Sequence, residues 1–85
     1  MVRPQRILGK ALAGSKTLPF RDFERLLKAF GFKLDRIAGS HRIYVHQRAD
    51  RPLSVQPRGK EAKPYQVRQF LDMIETYGLS MDGEK

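Results

Sequence analysis

Phe20, Phe23, Leu26, Leu27 and Phe30 recur at the three-and-four spacing of one buried helical face. Pro19 suits the first turn of that helix, and Asp22 and Glu24 lie toward its positive end. Glu24 and Lys28 stand one turn apart, where they can pair on the outside. Gly31, directly after Phe30, predicts a left-handed C-terminal cap. A weaker repeat, Ile7, Leu8, Ala11 and Leu12, predicts a short helix upstream, with Gly14-Ser15-Lys16-Thr17 as the connecting loop.

From Phe32 the period changes to two. Phe32 and Leu34 alternate with Lys33 and Asp35, and after the turn signal Gly39-Ser40 a second alternation runs through Ile43 and Val45. On this reading His41, Ile43 and Val45 share the core-facing side, with His41 at its rim, and Tyr44 projects from the opposite side. Ala49-Asp50-Arg51-Pro52 is a second turn and Leu53 to Gln56 a short third strand. Links this short favour antiparallel pairing, because a parallel crossover needs about a dozen residues. Pro57 to Lys63 reads as a basic loop. Pro64 opens a last helix with Val67, Phe70, Leu71, Ile74 and Tyr77 as its apolar stripe, Gly78 ends it, and residues 80–85 form a frayed tail. The predicted fold class is α+β: helix, three-stranded antiparallel sheet, helix, with an extra short N-terminal helix, both main helices covering one face of the sheet. The 85 residues make one domain, with the core at about 19–79 and residues 1–16 as an N-terminal extension.

Charge narrows the choice of partner. Seventeen Lys and Arg against nine Asp and Glu leave a net +8, and residues 1–16 contain four cations and no acid. Nucleic acid is the commonest partner of such a surface, with an acidic protein, an anionic membrane surface or plain solvation as the rival readings. The chain has no cysteine, which removes disulfides and thiolate chemistry and fits a reducing cytoplasm. No apolar run approaches the roughly 18 residues of a membrane span, and Ile7 to Ala13 is too short and too interrupted for a signal peptide.

The candidate chemistry centres on Gly39-Ser40-His41, where a tight turn delivers an imidazole to the start of a strand. Histidine can exchange a proton near neutral pH, and phosphodiester cleavage needs a proton moved off a hydroxyl. Around it Arg36, Arg42, Arg58, Lys60 and Lys63 are candidate phosphate ligands, with Ser40 in the turn itself. Main-chain amides at the start of the last helix, near Lys63, offer a further anion contact. Tyr44 is a candidate for base stacking, while Tyr65 is expected to pack on the sheet. His41 and His46 are an odd number of residues apart and point to opposite faces, so they do not share a metal. No carboxylate cluster suggests magnesium, and no buried acid is evident to complete a serine triad. A mechanism without metal or cofactor then favours RNA, whose 2′-hydroxyl can act as nucleophile. The bland alternative is a histidine that only bonds across its turn. A non-catalytic module gripping duplex RNA by its phosphates is the other reading.

The run Phe23 to Phe32 followed by Gly39-Ser40-His41-Arg42-Ile43-Tyr44 resembles the HicA toxins of bacterial toxin–antitoxin pairs. Ala62-Lys63-Pro64-Tyr65-Gln66-Val67-Arg68-Gln69-Phe70-Leu71 is similar to one branch of that family, and the likeness covers about Phe20 to Leu79. The resemblance implies a double-stranded-RNA-binding-like fold. It implies an mRNA interferase that cuts without metal through the histidine of Gly-Ser-His, here His41. It also implies a HicB-like antitoxin that binds the toxin and occludes that residue. Many relatives carry a second histidine in a Pro-x-His pattern after the third strand; this chain has Pro57-Arg58-Gly59, which leaves the general acid without a residue.

Overall fold

A computed structural model of the chain describes residues 3–14 and 17–81, so Ser15 and Lys16 of the predicted loop and residues 82–85 of the predicted tail lie outside the described residues. Helix α1 (Pro4–Leu12) leads into α2 (Phe20–Ala29). Strands β1 (Lys33–Ala38), β2 (His41–Val45) and β3 (Leu53–Val55) follow, and α3 (Pro64–Tyr77) closes the chain. The sheet has the order β1-β2-β3, antiparallel throughout. This helix–sheet–helix layering is that of a double-stranded-RNA-binding-like α+β fold.

The α2 stripe packs as its spacing predicts, with Phe20, Phe23, Leu26, Leu27 and Phe30 all buried. Phe70 of α3 is the hub, taking the rings of Phe23, Phe30 and Phe32 edge-on at centroid distances of 5.8, 5.3 and 5.9 Å. Gly31 adopts φ 90°, and the chain leaves α2 through a Schellman cap: Phe32 N–H donates to Leu27 and Gly31 N–H to Lys28. That cap turns the chain directly into β1. Helix α1 docks on α2 and contributes Ile7 and Ala11 to the same core.

Four expectations are corrected. The first concerns β2, whose buried residue is Tyr44 at 0% exposure, while Ile43 is half-buried and Val45 is 37% exposed. Side-chain polarity misleads here because α2 offers partners to the polar set. The Glu24 carboxylate accepts from the Tyr44 hydroxyl (2.8 Å) and from Arg42 (3.2 Å), and the Phe30 carbonyl accepts from His46 Nε2 (2.8 Å). With those groups satisfied, the large tyrosine ring buries more apolar area than an isoleucine or valine would.

The second correction concerns the basic loop, which is a small hairpin of β4 (Pro57–Arg58) and β5 (Glu61–Ala62). It is fastened to the entrance of α2 by Phe20 N–H to Lys60 C=O and Ala62 N–H to Leu18 C=O, both 2.8 Å. Third, α3 buries Gln66, Val67, Phe70 and Met73, while Leu71, Ile74 and Tyr77 are only partly covered. Fourth, Met81 is buried, so the chain stays packed past the end of α3, where the frayed tail was expected to begin.

Candidate functional site

Ala38 pairs with His41, so Gly39-Ser40 is a two-residue hairpin loop. Gly39 takes φ 63° and Ser40 a negative φ, the combination a type II′ turn requires and the reason glycine precedes the serine. Directly opposed residues of antiparallel strands share a face, so the register sorts every side chain on the sheet. Lys33, Arg36 and Ala38 of β1, His41, Ile43 and Val45 of β2, and Ser54 of β3 occupy the outer face, away from the helices. Leu34, Ile37, Arg42, Tyr44, Leu53 and Val55 occupy the inner one. A bulge between Leu34 and Arg36 shifts the β1 register so that Leu34 and Ile37 fall on the same side.

His41 is exposed, and its Nδ1 lies 3.1 Å from the Ser54 hydroxyl. If Ser54 accepts, Nδ1 is the donor of this bond; among the described residues no hydrogen bond engages Nε2. Arg36 stands opposite Ile43, one diagonal step from His41, with its guanidinium 2.6 Å from Asp35. Ser40 is held from the other side. Its hydroxyl accepts from Gln56 Nε2 (3.1 Å), whose amide oxygen accepts from Lys63 Nζ (3.3 Å). Gln56 is fixed in turn by its backbone N–H donating to Gln66 Oε1 (2.9 Å), and Gln66 is only 3% exposed. Gln66 Nε2 donates to the Tyr65 hydroxyl (3.3 Å), and the ring of Tyr65, 52% exposed, stands at the outer end of the chain of bonds.

Of the residues singled out in the sequence, the fold brings His41, Ser40, Arg36 and Lys63 to the Gly39-Ser40 end of the sheet. Arg42 is not with them. It is turned inward to Glu24, and its guanidinium carbon sits 5.6 Å from the centre of the Phe20 ring. Tyr44, expected to be open for stacking, is buried. Burial, followed by the bond to Glu24 and its charge, holds the phenol proton well above the ordinary value near 10. Tyr65, expected in the packing, is the exposed ring. Arg58 and Lys60 are exposed on the β4–β5 hairpin, and among the described residues no hydrogen bond or ion pair ties them to His41.

His46 lies on the opposite side of β2 from His41, as predicted. Its Nε2 is used by Phe30, its Nδ1 accepts from Arg48 N–H (3.0 Å), and its ring meets Phe32 at 5.0 Å. Ser54, Gln56 and Gln66 were missed by the sequence reading. Ser54 carried a usable signal, since it alternates with Leu53 and Val55 and had to face away from them. Gln66 carried none, being a polar residue inside an apolar stripe.

The outer face thus offers an exposed imidazole, a tethered cation and an open approach. No curated protein and no solved structure matches the chain. A family model described as the HicA toxin of bacterial toxin–antitoxin systems matches residues 20–76. That span holds α2, the whole sheet, the turn that presents His41 and all but the last residue of α3, and the chain belongs to the HicA toxin family.

Proposed function

We propose that this toxin is an endoribonuclease, an mRNA interferase of the cytoplasm, and that His41 is its general base. Nε2 takes the proton of a ribose 2′-hydroxyl, and the 2′-oxygen attacks the adjacent phosphorus. The bond from phosphorus to the 5′-oxygen breaks, leaving a 2′,3′-cyclic phosphate, and the departing oxygen takes its proton from solvent, which reaches the open face. Arg36 and Lys63 hold the phosphate and the charge that builds on it. Ser40 is a hydrogen-bonding contact beside them, and Arg58 and Lys60 draw the strand in from the hairpin. Tyr65 offers a ring for a base to stack on, the part first expected of Tyr44. A HicB-like antitoxin covers the same basic face and shuts off access to His41.

The observation that carries this reading is the placement of His41: exposed on the outer face and engaged through Nδ1 by Ser54, with no bond to Nε2 among the described residues. Purified protein incubated with RNA in EDTA is expected to give fragments ending in cyclic phosphate. General-base contributions are typically about 10² to 10⁴ in rate, so His41→Ala is expected to lose cleavage by at least that lower factor. The variant keeps its fold and its RNA affinity. Salt-sensitive binding with no fragments from the parent chain makes it a non-catalytic RNA-binding module instead. Unchanged cleavage by His41→Ala removes the imidazole from the mechanism.

A further inference from the structure

At the end of β2 far from His41 the surface opens into a groove of about 610 Å³ lined by Gly31, Lys33, Val45, His46, Gln47 and Arg48. Lys33 and Val45 stand opposite one another on the outer face, and the groove continues around the strand end to Gln47 and Arg48. From His41 the outer face of β2 runs about 14 Å through Ile43 to Val45 at the ordinary strand rise, and its last half, Ile43 to Val45, is an apolar strip. The strip is flanked by Arg36 and Lys33 on β1 and ends at Arg48. No carboxylate lines the groove, and Asp35 on the neighbouring strand is occupied by Arg36. His46 forms part of the wall, and both its ring nitrogens already have partners.

We infer that this groove is a subsite for single-stranded RNA flanking the scissile phosphate, so that the strand crosses the sheet along β2. Lys33 and Arg48 contact phosphates beyond the cut, and the Ile43–Val45 strip underlies the intervening bases. A paired helix presents phosphates and sugars to such a surface, whereas unpaired bases can lie on an apolar floor; the strip therefore selects unpaired RNA. The nature of the ligand rests on the endoribonuclease reading, but the groove and its charges do not.

The test uses the full chain with His41→Ala in place, so that RNA stays intact, and a ladder of unstructured oligoribonucleotides from a dinucleotide upward. Affinity is expected to rise with length. Lys33→Ala/Arg48→Ala is expected to remove about tenfold of the long-oligomer affinity and, for two lost contacts to a single strand, to flatten the log–log salt slope by about 1.4. Both side chains are exposed, and circular dichroism checks that the double variant remains folded. With His41 restored, the same two substitutions leave dinucleotide cleavage unchanged. Photoreactive uridine a few nucleotides from the cleavage position, on the side that crosses β2, is expected to cross-link to residues 45–48.

Unchanged length dependence and salt slope in the double variant overturn the subsite. So does a double variant that binds RNA as its parent does but no longer binds its antitoxin, which makes the groove a protein-docking surface. Length-dependent binding that the double variant loses, with no fragment ever produced by the parent chain, keeps the subsite and removes the nuclease.

Discussion

On the inner face of β2, Arg42, Tyr44 and His46 each have a fixed partner on α2 or at its C-terminal end; on the outer face, His41 is held by one nitrogen and keeps the other. One five-residue strand and the residue after it therefore carry two kinds of polar chemistry. Inside, a polar group that loses water must be bonded, so its reactivity is consumed in holding the fold. Outside, water remains available to Nε2, and the single bond to Ser54 orients the ring without exhausting it. The difference teaches that polarity alone does not mark a functional residue on this strand. What sets His41 apart is a ring nitrogen that no described residue engages, on an exposed side chain.

The largest effect that separates the two faces is on stability. Tyr44→Ala removes a fully buried ring and the donor that faces Glu24, and cavity-forming changes of this size cost about 3–5 kcal/mol. Domain stabilities are only about 5–15 kcal/mol in all, so urea unfolding at pH 7 is expected to show a strongly lowered midpoint or no cooperative transition. His41→Ala, on the exposed side of the same strand, is expected to stay within about 0.5 kcal/mol of the parent in that measurement. Equal losses from both substitutions would erase the distinction between the faces.

A smaller change sharpens the outer face. Ser54→Ala removes the group on Nδ1 and nothing else that packs, and it is expected to lower RNA cleavage about tenfold, which is about 1.4 kcal/mol of barrier. Ser54→Thr keeps a hydroxyl and is expected to restore most of the rate. Nitrogen-15 chemical shifts of the His41 ring supply a readout that a merely structural serine would not move. They are expected to report the Nδ1–H tautomer in the parent and a mixture of tautomers in Ser54→Ala. A ring with the same tautomer and the same rate in both proteins means that His41 is oriented by something other than Ser54.

How much of this was legible beforehand follows the range of the interactions concerned. Helix α2 and its cap depend on residues a few positions apart, and the stripe from Phe20 to Phe30 followed by Gly31 states them directly. The hairpin is equally local, since Gly39-Ser40 fixes both the turn and the placement of His41 on the first residue of β2. The family resemblance drawn from these segments, over about Phe20 to Leu79, agrees with the span 20–76 that the family model matches.

The burial of β2 was not legible because alternation yields two sets and does not say which is inside. That choice rests on Glu24, 20 residues before Tyr44, whose carboxylate makes the polar set the better one to bury. The same limit explains why the pairing of Arg42 with Glu24 was not expected, and why Tyr44 and Tyr65 exchanged places. Lys63 was expected to return to the Gly39-Ser40 edge and does so through Gln56. Arg58 and Lys60 in the same segment sit on a hairpin whose Lys60 and Ala62 are tied by backbone bonds to Phe20 and Leu18, a placement that no side-chain pattern encodes.

The subtlest difference between the faces is one that only alkali reveals. Burial first, then the bond to Glu24 and its negative charge, keep Tyr44 protonated in the folded chain past the ordinary tyrosine value near 10. An unfolded chain has no such protection and releases the proton around pH 10. Below that pH both states hold the proton and the group adds nothing to the pH dependence. As pH climbs past it, only the unfolded state gains by ionising, and stability falls. The loss is about 0.4 kcal/mol at pH 10 and approaches about 1.4 kcal/mol for each further unit while the folded phenol stays neutral. Tyr77 adds a slope of the same sign, because its hydroxyl donates to Asp50 at 2.6 Å and is held up chiefly by that bond. The informative quantity is the difference between the parent and Tyr44→Phe, measured by urea unfolding from pH 8 to pH 11. The parent is expected to lose stability faster than the phenylalanine variant above pH 9.5, with the two curves parallel below it. Curves parallel throughout would mean that the inner face shelters no ionisable phenol, and that the placement of Tyr44 against Glu24 is wrong.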